Sequence, residues 1–193
     1  MKKIIFNDKY GLTAAVLQGY KTMTRILIRN RMTEDDIKAY LKGYTGVAWK
    51  ASHYKTGEVV AVAQAYKHIV DNHYFKEQCL ANETEAELTR FDAGWDNKMF
   101  VKSYYMPHQI KITDIKVERL KDISDEDCMK EGIFANNAFE IGYGVDFVYE
   151  FTKSDMCYFT PREAFAALID KINGKGTWEN NPWVFAYSFK LIN

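Results

Sequence analysis

The seven residues Gly19 to Arg25, read as "GYKTMTR", place a glycine, an amine, two threonine hydroxyls and a guanidinium directly after an apolar run. They fall in a basic stretch: residues 1–31 carry Lys2, Lys3, Lys9, Lys21, Arg25, Arg29 and Arg31 against Asp8 alone, a local charge of +6. A patch of that charge can hold one phosphate or a short strand of nucleic acid. The same residues also suit a plain helix exit, with Lys21 in solvent and Thr24 opening a strand. Arg25 and Arg29 have two uses open to them, contact with phosphates or pairing with acidic residues of the same sheet.

Which use applies depends on the elements that carry them. The run before the motif predicts a first helix over residues 12–18, stopped by Gly19 at positive φ. "TRILIR" then begins a strand with Thr24, Ile26 and Ile28 on one face and Arg25, Leu27 and Arg29 on the other. Lys21 and Thr24 are three apart, so a regular strand points them in opposite directions. They converge only if residues 20–23 form a turn.

Further strands come from period-two patterns. In "PWVFAYSFKL" Trp183, Phe185, Tyr187, Phe189 and Leu191 share one parity, and in "VDFVYEF" Val145, Phe147, Tyr149 and Phe151 do. Each is expected to bury that face. "IKITDIKVER" switches parity between Ile112 and Ile115, so a bulge near Thr113 and Asp114 is needed to keep one apolar face. "GEVVAVAQA" is small and apolar on both parities and reads as a strand covered on both sides. Helices are signalled by Thr160-Pro161-Arg162-Glu163, a capping box with proline in the first turn, before a stripe of Ala164, Phe165, Leu168, Ile169 and Ile172. Ser124 opens another that Gly132 closes, and Thr33 a third.

At 193 residues, 47% hydrophobic and 15% aromatic, the chain reads as a single domain over residues 1–193 with a packed core. No apolar run approaches the roughly 18 residues of a membrane span, and the short apolar stretch at the start does not read as a signal peptide, so a cytoplasmic location and no membrane partner are expected. Cys79, Cys128 and Cys157 suggest reduced, packed thiols. His53, His68, His73 and His108 lack metal-ligand spacing, so no metal site is predicted. "NGKG" at 173–176 follows a helix and reads as a turn. Trp49, Trp95 and Trp178 stand near loops and are the candidates for stacking on a base.

The order of these features resembles the ASCH domain family of the PUA-like superfamily. Gly19-x-Lys21-x-x-Thr24 after "LTAAVLQ" is similar to that family's Gly-x-Lys-x-x-Thr-x-Arg signature, although its final arginine falls on Ile26 and Arg25 stands one place earlier. "YKTGEVVAVAQAY", "IKITDIKVERLKDISDEDCMKEGI" and the closing "GKGTWENNPWVFAYSFKLI" resemble later elements, the last as in larger phage and bacterial members. The resemblance implies an α+β, mostly β fold: a small PUA-like β-barrel with short flanking helices and a central insertion, elaborated at residues 31–50 and 67–95.

It also implies binding of RNA or a modified nucleoside or nucleotide, with Gly19, Lys21, Thr24, Arg25 and Arg29 at the ligand. Small bacterial members hydrolyse N4-acetylcytidine with a lysine, a threonine and a glutamate, which match Lys21, Thr24 and, by spacing alone, Glu131. Threonine attacks only when a base takes its proton, and a buried lysine of lowered pKa serves; Glu131 then protonates the leaving nitrogen or positions water. That chemistry needs neither metal nor cofactor. A third reading is a protein-interaction module of phage origin, centred on the acidic stretch at 77–92.

Overall fold

The computed structural model describes residues 1–70, 93–138 and 146–192. In chain order the strands are β1 (Lys3–Ile4), β2 (Met23–Leu27), β3 (Val59–Val62), β4 (Gln109–Arg119), β5 (Phe134–Asn137), β6 (Phe147–Glu150) and β7 (Trp183–Leu191). The helices are α1 (Leu12–Leu17), α2 (Glu34–Leu41), α3 (Gly46–Ala51), α4 (Tyr66–Ile69), α5 (Asp125–Lys130), α6 (Pro161–Asn173) and α7 (Thr177–Asn180). The fold is α+β, and among the described residues helix outweighs strand, against the mostly β expectation.

The long strands β4 and β7 pair antiparallel and form the middle of a five-stranded sheet of order β1-β3-β4-β7-β2. Among the described strands only β1 and β3 run parallel; β5 and β6 form a separate antiparallel pair. The described strands leave β1 and β2 as the two outer strands of the larger sheet.

The register of β4 against β7 shifts between Ile112 and Asp114, at the expected bulge. Its effect is the one the parity switch demands. Ile112 pairs with Phe189 before the shift, and Ile115 and Val117 pair with Tyr187 and Phe185 after it, so all lie on the aromatic face of β7. Strand β3 is buried from Val60 to Val62 and onward to Ala63. Val60 and Val62 join the main core, while Ala61 and Ala63 join a smaller cluster with Tyr66, Ile69, Val101 and Met106. The small alanines let that second layer approach closely, which explains apolar residues on both parities.

Two expectations are corrected. In β6 Val148 is buried and Phe147 is exposed, the reverse of the predicted face, with only Phe151 of that parity fully buried; Val145 lies outside the described residues. The reason is that β6 sits in the small β5–β6 pair, where burial follows the contacts of one short strand rather than a whole sheet face. Strand β7 buries Val184 and Ala186 as well as the aromatic face, so both of its sides are covered.

Helix α6 has its predicted cap: the Thr160 side chain accepts from the Glu163 N–H, and the Glu163 carboxylate accepts from the Thr160 N–H at 3.2 Å. Ala164, Phe165, Leu168 and Ile169 are buried in the main core, whereas Ile172, expected in the same stripe, is exposed in the last turn of the helix. Thr160→Ala is expected to lower stability by about 1 kcal/mol, read as a lower urea midpoint at unchanged slope. Helix α1 ends at Leu17, a residue short of the predicted end, and Gly19 follows at φ +80. The expected excursion at 67–95 and the acidic stretch at 77–92 lie largely outside the described residues, as does Cys79.

Candidate functional site

Lys21 sits in the turn between Gly19 and β2, so strand alternation does not dictate its direction. Its N–H, with that of Tyr20, donates to the Ala15 carbonyl and folds the turn back onto α1. The Thr22 N–H donates to the Lys130 carbonyl, docking the turn against the end of α5. These bonds point the Lys21 side chain inward.

Its Nζ donates to Glu131 Oε2 at 2.6 Å and to the Glu131 carbonyl at 2.7 Å, and stands 5.8 Å from the centroid of the Phe6 ring. Only 1% of the Lys21 side chain and 5% of the Glu131 side chain are exposed. Burial lowers the Lys21 pKa from its ordinary value; Glu131 pulls it back up, and the Arg25 charge lowers it. Glu131 caps α5 immediately before Gly132, whose φ of +102 ends the helix.

Arg25 completes the cluster. Its Nη1 donates to Glu131 Oε1 at 3.1 Å, its Nε and Nη2 to Glu118 Oε1 at 2.9 and 2.7 Å, and its Nη2 to Asp127 Oδ2 at 3.3 Å. Burial disfavours its charge, but Glu131 and Glu118 outweigh that and the pKa is raised. The reach across the sheet has a local cause. Arg25 lies opposite Ala186 of β7, and Ala186 opposite Lys116 of β4, so Arg25 and Glu118 share a face. The short side chain of Ala186 leaves the space through which the guanidinium passes over β7. Of the two uses left open for Arg25, ion pairing within the sheet and with α5 is the one observed.

These residues border a cavity of about 700 Å3 between the outer strands. Residues 4–6 line it on the β1 side, Thr24 to Leu27 on the β2 side, and Phe165, Leu168 and Ile169 of α6 close it. The Ile28 N–H donates to the Trp183 carbonyl and the Phe189 N–H to the Thr22 carbonyl. Even-numbered residues of β2 therefore bond to β7, and the backbone N–H and C=O groups of Arg25 and Leu27 turn toward the cavity.

Thr24 is half-buried on the cavity wall, and its hydroxyl has no side-chain hydrogen bond among the described residues. Lys21, Thr24, Arg25 and Glu131 thus border one space. Arg29 and Arg31 are exposed and line it too. Gly19 does not line it; its place is the helix exit.

Three participants carried no signal of their own in the sequence. Glu118 and Asp127 hold Arg25, and the alanine amid the aromatic residues of β7 was the mark of the passage between them. Lys98 is buried in the cavity wall, where its Nζ donates to the Phe6 carbonyl at 2.6 Å, Asp8 Oδ1 at 2.7 Å and Thr13 Oγ1 at 3.0 Å.

The tryptophans proposed for stacking lie elsewhere. Trp49 borders a separate hollow with Tyr40 and Ile115, Trp95 packs on the smaller core, and Trp178 meets Phe165 edge-on. Cys128 is buried, with its thiol pushed up to about 12 by desolvation. Among the described residues no group of His, Cys, Asp and Glu is arranged to hold a metal ion, and no helix is long and apolar enough to cross a membrane. No protein-family model, curated protein or solved structure matches the chain.

Proposed function

We propose that the cavity between β1 and β2 binds a modified nucleoside or nucleotide, free or within RNA, on the pattern of an ASCH-type, PUA-like barrel whose seam is this cavity. The observation that carries the reading is the presence of Lys21, Thr24 and Glu131 in the lining of one space of about 700 Å3. That volume suits a nucleoside-sized ligand, and pockets of this kind pair apolar walls with a few fixed polar groups. The free Thr24 hydroxyl and the outward backbone groups of β2 supply the hydrogen bonds that distinguish one base edge from another. The Lys21–Glu131–Arg25 cluster fixes the wall that presents them.

Thr24→Val keeps the side-chain shape and removes the hydroxyl. Calorimetric titration with N4-acetylcytidine is expected to show binding to the wild type and about fivefold weaker binding to Thr24→Val, the worth of one neutral hydrogen bond. Equal affinities would remove Thr24 from the site.

A second reading, hydrolysis of an acylated cytidine, is favoured by the buried Lys21 amine and its lowered pKa. In it the neutral Lys21 takes the Thr24 proton as Oγ1 attacks the acyl carbon. The bond to N4 breaks as that nitrogen takes this proton from Lys21, and water then releases the acid from Thr24. The rate is expected to rise with pH as Lys21 loses its proton and to level above its pKa, which lies below the ordinary 10.5. Mass spectrometry of N4-acetylcytidine incubated with wild type and Thr24→Ala tests this. Cytidine formed by wild type alone supports hydrolysis; no cytidine leaves binding as the function.

A further inference from the structure

Building on that reading, we infer that the mouth of the cavity holds a second subsite, formed by Arg29 and Arg31, for a phosphate esterified to the bound nucleoside. If the nucleoside reading fails, this inference fails with it; the reverse does not hold.

The charged groups bordering the cavity fall into two sets. Lys21, Arg25 and Glu131 are buried and satisfy one another, and Lys98 is buried against Asp8. Arg29 and Arg31 are exposed, so they stand at the solvent end. Neither makes an ion pair among the described residues. Arg31 Nη1 lies 3.4 Å from His53 Nδ1, and the Arg29 side chain has no hydrogen bond there at all. They are the two arginines on the cavity lining that no carboxylate neutralises. Asp8, the other carboxylate in the lining besides Glu131, is already engaged by Lys98 and Thr13.

The backbone carries both on one short turn at the end of β2. Arg29 has φ +49, a left-handed conformation uncommon for a residue with a side chain. It breaks β2 into a short 3-10 turn, Arg29–Arg31, at the cavity rather than letting the strand run on. Between this turn and the buried cluster the lining is apolar, with Ile26, Leu27, Leu168 and Ile169. Polar depth, apolar middle and cationic mouth match the order of base edge, base and sugar, and phosphate along a nucleotide. A guanidinium fork fits two phosphate oxygens, and two forks suit a terminal phosphate or a bridging diester.

The test is a set of calorimetric titrations of the full chain and of the Arg29→Gln/Arg31→Gln variant. The ligands are N4-acetylcytidine, its 5′-monophosphate, and a single-stranded trinucleotide with that nucleoside in the middle. Both arginines are exposed, so the double variant should keep its fold, checked by its urea midpoint. The phosphorylated ligands are expected to bind wild type about tenfold tighter than the nucleoside, the worth of one or two charge-assisted bonds. In the variant that gain should vanish while nucleoside affinity stays unchanged. Added salt should erode the gain in wild type, since the groups are exposed.

A larger gain for the monophosphate assigns the subsite to a free nucleotide, and a larger gain for the trinucleotide to a strand. No gain from phosphate, or a gain that survives in the variant, overturns the subsite and leaves nucleoside binding intact. No binding of any of the three overturns both.

Discussion

Arg25→Met is expected to cost about 3–5 kcal/mol of folding stability, the range seen when one partner of a buried ion pair is removed. Arg25 ties three elements at once. It reaches from β2 over Ala186 to Glu118 on β4, to Asp127 on α5, and to Glu131 at the end of that helix. Methionine fills part of the volume but leaves three carboxylates around an apolar chain. Asp127 keeps Lys130 at 2.9 Å and Glu131 keeps Lys21, so Glu118 is the group left without an ion-pair partner. Against a typical domain stability of about 5–15 kcal/mol the loss leaves a marginal fold. Arg25→Lys should fall between, because an ammonium replaces the charge but not the fork. Urea denaturation followed by circular dichroism reads both. A loss under about 1 kcal/mol for Arg25→Met would mean that these contacts are not formed in solution.

Glu131→Gln is expected to cost a similar amount, about 3–5 kcal/mol at neutral pH, and to carry a pH signature. Removing the carboxylate takes away the group that raises the Lys21 pKa, while burial and the Arg25 charge go on lowering it. The folded variant then binds the Lys21 proton more weakly than the unfolded chain. Stability rises with pH wherever the unfolded state holds more protons. Burial already lowers this pKa in wild type, so the variant should regain stability relative to wild type as pH climbs from its own folded Lys21 pKa to that of wild type, both below the ordinary 10.5. The measurement is the difference in urea midpoint between variant and wild type at pH 7 and at pH 9.5. A difference that stays constant or widens at high pH would show that Lys21 is not the group left uncompensated.

The two predictions also show what the residues alone could disclose. Local signals were legible: the helix start at Thr33, the capping box at Thr160, the stop at Gly19 and the bulge after Ile112 each depend on a few neighbouring residues, and each is present. The convergence of Lys21 and Glu131 depends on residues 110 positions apart, and only the family resemblance suggested it. Arg25 was undecided because its partners come from β4 and α5, whose placement relative to β2 is set by the order of the sheet. Lys98 carries no sequence signal because a lysine between Asn97 and Met99 has no periodic context. The reversed face of β6 has the same origin: alternation tells which residues share a side, not which side is covered.

Whether the cavity beside β2 receives a nucleoside can be read directly by methyl NMR. The isoleucine and leucine methyls of a labelled sample are followed while N4-acetylcytidine is added. The account predicts saturable shifts at Ile26, Leu27, Leu168 and Ile169, which border the cavity, with Ile115 beside the separate hollow at Trp49 unmoved. Saturable shifts confined to Ile115, or none at any of these methyls up to millimolar ligand, would contradict it.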